Sequence, residues 1–292
     1  MIKKFRFILK IFVALGISIL VPLGFYWLVD LCVYNYFMNT VPTGGADQFQ
    51  AYIVWYTNYE WILFIAEFLI NITVTVILLI FVLKLSRLEL KGWFSLQNVS
   101  ELAIGLLLSA IAISIVFFLL ILTRSAYVVS WQPQFTINTI KYLLVFILVG
   151  ISEELFYRGF IITSLRTIKS VPFVILLSSM IFSLVHFFNN EFNLLAFLNI
   201  MLIGVMLAYI FIKTKSLWLP TGYHILWNYF QGNVYGFNVS GVTISGIFTT
   251  KYKTNNILNG GVFGPEAGLI TTFVTILAIV FLKWYLANRK TL

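Results

Sequence analysis

The sequence is poor in charge, in cysteine and in histidine. Only 10% of its 292 residues are charged, against about 25% in soluble globular domains, while 61% are hydrophobic. The apolar excess continues along the whole chain, so no segment resembles a soluble domain, and we expect a single polytopic membrane unit. The one cysteine, Cys32, excludes an internal disulfide.

Eight apolar runs are long enough to cross a bilayer, for which a helix needs about 20 mostly apolar residues. They predict an all-α membrane protein, a polytopic bundle of about eight transmembrane helices. The first run lacks a small-residue cleavage site, so we expect a retained helix and not a signal peptide. The runs cover residues 11–33, 61–83, 102–123, 140–165, 171–188, 193–212, 217–236 and 266–286.

The runs suggest three parts, with loops between them. Residues 1–132 hold the N-terminal transmembrane helices and their loops, and residues 133–237 hold helices four to seven as a core. Residues 238–292 combine an extracytoplasmic loop with the last helix. Most of that loop, within 237–265, is rich in Gly, Asn and Thr and has no helical apolar period.

The basic residues predict a multi-pass protein of the cell membrane with both termini in the cytoplasm. With the N-terminus inside, fourteen of the 19 Lys and Arg lie at cytoplasmic ends and loops, and Arg158 lies at membrane depth. Cytoplasmic loops carry such an excess of basic residues. Nucleic-acid binding is not predicted, because the sequence has no basic stripe with interleaved aromatics. The four basic residues placed outside are Arg124, Lys141, Lys251 and Lys253.

The fourth apolar run contains three charged residues in its interior, besides Lys141 near its start. The stretch ISEELFYRGF, residues 151–160, includes Glu153, Glu154 and Arg158. A charge near the middle of a bilayer costs about 2.5–3.5 kcal/mol on insertion scales, so three in one helix need partners or a wet cavity. Glu154 and Arg158 are spaced i and i+4 and can form an ion pair, whereas Glu153 is rotated away and stays free for other work.

Two later runs supply the other polar groups. Phe182 precedes His186 by four residues in the fifth run, and His224 precedes Asn228 by four in the seventh, so each pair shares a helix face. Their estimated depths overlap with that of Glu153, which predicts an intramembrane polar cavity. A desolvated carboxylate there can accept a proton from water, and an imidazole or amide can donate to a developing oxyanion. This pattern is typical of a hydrolytic site.

These residues form three motifs, EELFYRG, FSLVH and HILWN. They resemble the EExxxR, FxxxH and HxxxN motifs of the CAAX protease and bacteriocin-processing family, also called Abi, which includes the type II CAAX prenyl endopeptidases. The three occur in the family's order, use both histidines of the chain and extend over about residues 140–235. The resemblance implies an intramembrane endopeptidase that acts on a peptide or lipidated protein in the membrane.

The resemblance also implies a role for each motif residue. Glu153 and His186 would activate the attacking water, and His224 and Asn228 would stabilise the oxyanion. A second group would brace the helices that carry them. These supporting residues are Glu154, Arg158 and Phe182.

Missing residues exclude other protease chemistries. His186 and His224 are too far apart in the chain to form the HExxH zinc motif. Asp30 and Asp47 are the only aspartates, and Asp47 lies in a Pro/Gly-rich segment, so no aspartyl dyad is expected; a GxSxG elbow does not occur. Better-understood family members resemble metal-independent glutamate proteases, so we favour no cofactor. Zinc held by Glu153 and both histidines is the alternative.

Two other functions remain open. The first is a non-catalytic bacteriocin self-immunity or regulatory protein of the same fold, and the intact motifs favour the protease over it. The second is a proton-coupled transporter that uses Glu153 and the histidines as a relay. A transporter predicts repeat symmetry and paired helix-breaking residues, of which the sequence offers little.

Overall fold

The computed structural model describes residues 2–40, 45–85, 87–166 and 170–288. Its contacts divide the chain into two compact units, Met1–Lys84 and Leu85–Leu292. The second unit includes the whole expected core, 133–237, together with residues before and after it. Of the basic residues used to predict the topology, Lys169, Arg289 and Lys290 lie outside the described residues.

The first unit is a pair of long helices, α1 (Ile2–Thr40) and α2 (Gly45–Phe81). Both extend well beyond the apolar runs expected there, because aromatic and polar residues continue the helices past the apolar stretches. The Tyr52 hydroxyl of α2 donates to Asp30 Oδ1 of α1 at 2.6 Å. Asp30 is therefore engaged in pairing these two helices.

The second unit is mainly helical, with one small sheet, and the predicted all-α polytopic fold is confirmed. A π-helical segment, Leu155–Ile162, joins α5 to α6, and another, Phe230–Val234, extends α9. The elements in chain order are α3 (Arg87–Trp93), α4 (Ser100–Leu122), β1 (Ala126–Ser130), α5 (Ile137–Glu154), α6 (Thr163–Arg166), α7 (Val171–Leu184), α8 (Leu194–Thr214), α9 (Trp218–Tyr229), β2 (Thr249–Tyr252) and α10 (Leu269–Asn288).

Six helical segments of the described chain, where eight were expected, are long and apolar enough to cross a membrane. The two expected spans that do not qualify, 140–165 and 217–236, contain the motif residues. Both are helical, but a π-helical segment interrupts the first and ends the second, and the first carries four charged residues, including Lys141 near its start. The six that qualify are Gly16–Thr40, Asp47–Phe81, Ser100–Leu122, Val171–Phe188, Leu194–Thr214 and Leu269–Asn288.

Contacts between the connecting segments indicate that the two motif helices also cross. The Leu217 N–H, just before α9, donates at 2.9 Å to the O atom of Trp93, which ends α3 and precedes α4. At the opposite ends of these helices, β1 pairs antiparallel with β2. Because β1 and Leu217 lie on opposite faces of the membrane, the chain between them must cross an odd number of times. Helices α7 and α8 supply two crossings, so the α5–α6 segment supplies the third. The segment after Leu217 must then cross again to reach β2.

Helices α4 and α9 run parallel and approach each other through glycine. A Cβ on Gly105 would overlap the carbonyl oxygen of Leu219, and one on Gly222 would lie 2.5 Å from the carbonyl oxygen of Leu102. Small residues allow the backbones of membrane helices to pack at this distance. This contact fixes the helix that carries His224.

Residues 236–268, which we call the cap, are more ordered than the expected loop. Besides β2 they contain two 3₁₀ turns, Gly261–Phe263 and Pro265–Ala267. The fully buried Asn259 donates to Ser125 O at 3.0 Å and accepts from the Gly261 N–H at 3.0 Å. Side-chain amides therefore replace the regular backbone pairing that a helix or a larger sheet would provide, and hydropathy patterns do not reveal such a network.

The crossing of the two motif helices and the bias of basic residues together predict on which side of the membrane each loop lies. In a Cys32→Ser background, a cysteine at the exposed position Lys251 should react with a membrane-impermeant thiol reagent on intact cells. A cysteine at the exposed position Lys215 should react only after permeabilisation. Labelling of both positions from one side would contradict the crossing of α9, and the reversed pattern would contradict cytoplasmic termini.

Candidate active site

A buried ion pair lies where α5 passes into the π-helical segment. Arg158 Nη1 lies 2.9 Å from Glu154 Oε1, and the two side chains are 1% and 0% exposed. The pair is the one expected from the i and i+4 spacing. Because both charges are removed from solvent, each depends on the other for compensation.

The imidazole of His224 joins this pair from α9. His224 Nδ1 lies 2.8 Å from Glu154 Oε1, and since a carboxylate oxygen accepts, Nδ1 carries the donated proton. One carboxylate oxygen thus binds both Arg158 and His224. The sequence placed these groups in a common cavity but did not indicate this contact.

The neighbouring Glu153 occupies the other side of the His224 ring. Its Oε2 lies 3.7 Å from His224 Nε2, a separation too wide for a direct hydrogen bond. Glu153 Oε2 is buried and has no hydrogen-bond partner among the described residues, although the side chain as a whole is 22% exposed. The two adjacent glutamates therefore differ: Glu154 is fully buried and engaged, and Glu153 is partly accessible with an acceptor oxygen to spare.

The ring of Phe182 lies between the two histidines. Its centroid is 5.3 Å from that of His186 and 6.0 Å from that of His224, both in edge-on geometry. The Arg158 guanidinium carbon stands 4.5 Å from the same ring centroid, at a cation–π distance. Phe182 thus connects α7 with the charged residues of the α5–α6 segment and with α9.

The helix type changes just before His186, which lies four residues after Phe182. The α7 helix tightens into a 3₁₀ turn, Val185–Phe188, in which backbone N–H groups bond three residues back and not four. The carbonyl of Phe182 is then available to the His186 ring, whose Nδ1 lies 2.9 Å away. A carbonyl only accepts, so Nδ1 carries the proton and Nε2 is left for other contacts.

Asn228 lies one helical turn after His224 and is 7% exposed. Its amide makes no hydrogen bond with any residue of the described chain. The structure thus assembles His224 with Glu153, Glu154 and Arg158, and connects His186 to them through Phe182. It records no direct contact of His186 or Asn228 with Glu153.

Features of the π-helical segment were not visible in the sequence. Widening of the helix frees the carbonyl of Tyr157, which accepts from the Ser178 hydroxyl of α7 at 3.1 Å. A Cβ on Gly159 would come within 2.9 Å of the Trp93 ring, so this glycine admits the indole at the end of α3. π-Helical turns are frequent at functional sites, but their hydrogen bonds depend on distant partners that a local pattern does not contain.

A family comparison agrees with this geometry. Residues 135–230, about a third of the chain, match the family model described as type II CAAX prenyl endopeptidase Rce1-like. The matched range includes all three motifs. This segment is similar to the CAAX protease family. The resemblance inferred from the motifs is confirmed, and no curated protein matches the chain.

The zinc alternative requires Glu153, His186 and His224 to converge on one metal ion. Within the described ranges, no three His, Cys, Asp or Glu side chains are close enough together to hold a metal ion. His224 Nδ1 is directed at Glu154, and His186 Nδ1 is directed at a backbone carbonyl. The set of Glu153, His186 and His224 does not form a metal site in this arrangement, so no step proposed below passes through a metal.

The buried pair predicts that Arg158 is needed for folding of the segment that contains the motifs. Arg158→Ala leaves Glu154 uncompensated in a low dielectric, which should cost about 3–5 kcal/mol of stability. We expect less folded protein in the membrane and a lower midpoint of thermal unfolding in detergent. Arg166→Ala removes an exposed arginine at the end of α6 and serves as the control. Equal stability of the two variants would contradict the bracing role of Arg158.

Proposed function

We propose that the chain is an intramembrane endopeptidase that hydrolyses a peptide bond with water activated by Glu153 and His186. The observation that carries the proposal is the difference in burial and bonding between the two adjacent glutamates. Glu154 is fully buried and held through Oε1 by Arg158 and His224, while Glu153 is 22% exposed beside the His224 ring and makes no direct hydrogen bond to it. The match of this segment to a family of CAAX prenyl endopeptidases supports the same reaction class.

The first step is proton removal from water. In the proposal Glu153 accepts a proton from the water as its oxygen adds to the scissile carbonyl carbon. The His186 ring, fixed with its proton on Nδ1, offers the Nε2 lone pair to the same water and so shares the task. The proton taken from water is then delivered to the leaving amine when the carbon–nitrogen bond breaks.

The second requirement is stabilisation of the oxyanion on the attacked carbonyl. The Asn228 side chain lies one helical turn after His224, and its amide can donate to this oxygen. In its cationic form His224 donates from Nδ1 to Glu154 and from Nε2 to the oxyanion, and the flanking carboxylates compensate its charge. Glu154 and Arg158 thereby orient the donor without touching the substrate.

The substrate class follows from the site's position in the membrane protein. A peptide or lipidated protein that lies in the bilayer can approach a site among the helices, and the bilayer itself is the remaining partner. We propose that both termini are cytoplasmic, because the basic residues concentrate on that side. On this orientation the cap lies on the extracytoplasmic side.

The proposal is tested by removing the two groups assigned to water activation. Purified, reconstituted protein is assayed by mass spectrometry for cleavage of candidate membrane peptides, including prenylated ones. Glu153→Ala and His186→Ala should each reduce cleavage at least about 100-fold, the usual scale of general acid–base catalysis. Neither should change the folded yield greatly, because neither side chain belongs to the Glu154–Arg158 pair.

Glu191→Gln provides the matched control, since it alters an exposed glutamate in the connection between α7 and α8. It should cleave at the wild-type rate. Full activity of the Glu153 and His186 variants would contradict the assignment. Loss of wild-type activity on chelation, with recovery on adding zinc, would contradict the metal-free route.

A further inference from the structure

The cap is attached to the chain directly after the His186 turn. Asn189 Nδ2 donates to Ser240 O of the cap at 2.9 Å. The adjacent Gly241 packs so closely on the backbone of Asn190 that a Cβ there would lie 2.5 Å from the Asn190 carbonyl oxygen. The cap therefore contacts the chain three and four residues beyond His186 through both a side chain and the backbone.

The turn that makes this contact is held by a buried carboxylate. Glu266 Oε2 accepts from the Ser240 N–H at 2.7 Å and from the Ser240 hydroxyl at 2.9 Å. Glu266 is only 5% exposed. Ser240 has φ = 46°, a left-handed conformation that is costly for a residue other than glycine. The two bonds to Glu266 hold Ser240 in this strained conformation.

Glu266 is itself fixed to the helix bundle. Its backbone carbonyl accepts from Asn199 Nδ2 of α8 at 2.8 Å. Asn199 is 1% exposed, and its Oδ1 accepts from the Thr272 hydroxyl of α10 at 2.6 Å. The carboxylate is thus presented to Ser240 from a rigid base that includes two helices.

The other end of the connection is the His186 turn. The Asn189 N–H donates to His186 O at 3.0 Å and closes the 3₁₀ turn. This change of helix type also makes the Phe182 carbonyl available to the His186 ring. Asn189 therefore connects the turn that orients the imidazole with the cap, and a shift of Ser240 would be transmitted to the ring.

We propose that Glu266 is a positioning residue, which acts through Ser240 and Asn189 to hold the His186 imidazole in its reactive orientation. The inference rests on the proposed function, because His186 matters for positioning only if it takes part in hydrolysis. Glu266 lies beyond the matched range 135–230, so it belongs to this chain's own cap. The cap then has a part in catalysis as well as in packing.

The kinetic test compares Glu266→Ala with Glu266→Gln in the full-length protein. The alanine variant should lower kcat about 10- to 100-fold with little change in KM, because small displacements of a catalytic group carry a penalty of this size. Glutamine keeps an oxygen that accepts from Ser240 and should restore most of kcat. Asn189→Ala should act like Glu266→Ala, and the double variant should be no slower than the slower single variant.

A spectroscopic test does not depend on activity. The chain has two histidines, so ring ¹⁵N signals in detergent can be assigned with a His224→Gln variant. Glu266→Ala should change or broaden the Nδ1 and Nε2 signals of His186 and leave those of His224 in place. Asn259→Ala is the matched control, because it removes buried cap hydrogen bonds to Ser125 and Thr254 that do not involve Asn189.

The outcomes separate this inference from the proposed function. Unchanged His186 signals in Glu266→Ala, or equal changes in Asn259→Ala, would overturn the positioning role whatever the activity. If Glu266→Ala alters the His186 signals but the wild-type protein cleaves no peptide, the physical connection is supported and the hydrolase is refuted. Wild-type kcat in Glu266→Ala and Asn189→Ala would overturn the positioning role while leaving the hydrolase intact.

Discussion

The site depends on one carboxylate oxygen, Glu154 Oε1, which lies 2.9 Å from the Arg158 guanidinium and 2.8 Å from the His224 ring. All three side chains are buried or nearly so. An uncompensated charge in such a place is strongly destabilising, so the three groups hold one another in position. Because Arg158 and Glu154 come from the α5–α6 segment and His224 from α9, the same contact fixes the relative positions of the two helices. The imidazole then has its second nitrogen directed towards Glu153.

The remaining contacts reinforce that arrangement from the sides. Phe182 packs against Arg158 and both histidines, and so brings α7 into register with the charged group. The glycine contact between α4 and α9 supports the helix of His224 from behind. Beyond His186, the buried Glu266 gives the cap a firm hold on the turn. Reactivity is left to Glu153, which is partly exposed, whereas Glu154 is fully buried and held through Oε1.

The sequence predicted the parts of this site that depend on local spacing. Glu154 and Arg158 pair as the i and i+4 rule requires, and the three motifs identified the family. Contacts between segments that are distant in the chain could not be predicted from the sequence. The bond from His224 to Glu154 needs the register of α5 against α9, and the π-helical segment after Glu154 needs Ser178 of another helix. The cap was predicted as a loop because its order comes from amide side chains, which leave no hydrophobic period.

The most direct measurement compares two isosteric changes at adjacent positions, Glu153→Gln and Glu154→Gln, for both thermal unfolding and peptide cleavage. Loss of the Glu154 charge leaves Arg158 uncompensated, so this variant should lose about 3–5 kcal/mol of stability and its activity together. Loss of the Glu153 charge should abolish cleavage and leave the unfolding midpoint near that of the wild type. Similar unfolding midpoints for the two variants, or activity retained without the Glu153 charge, would contradict the account.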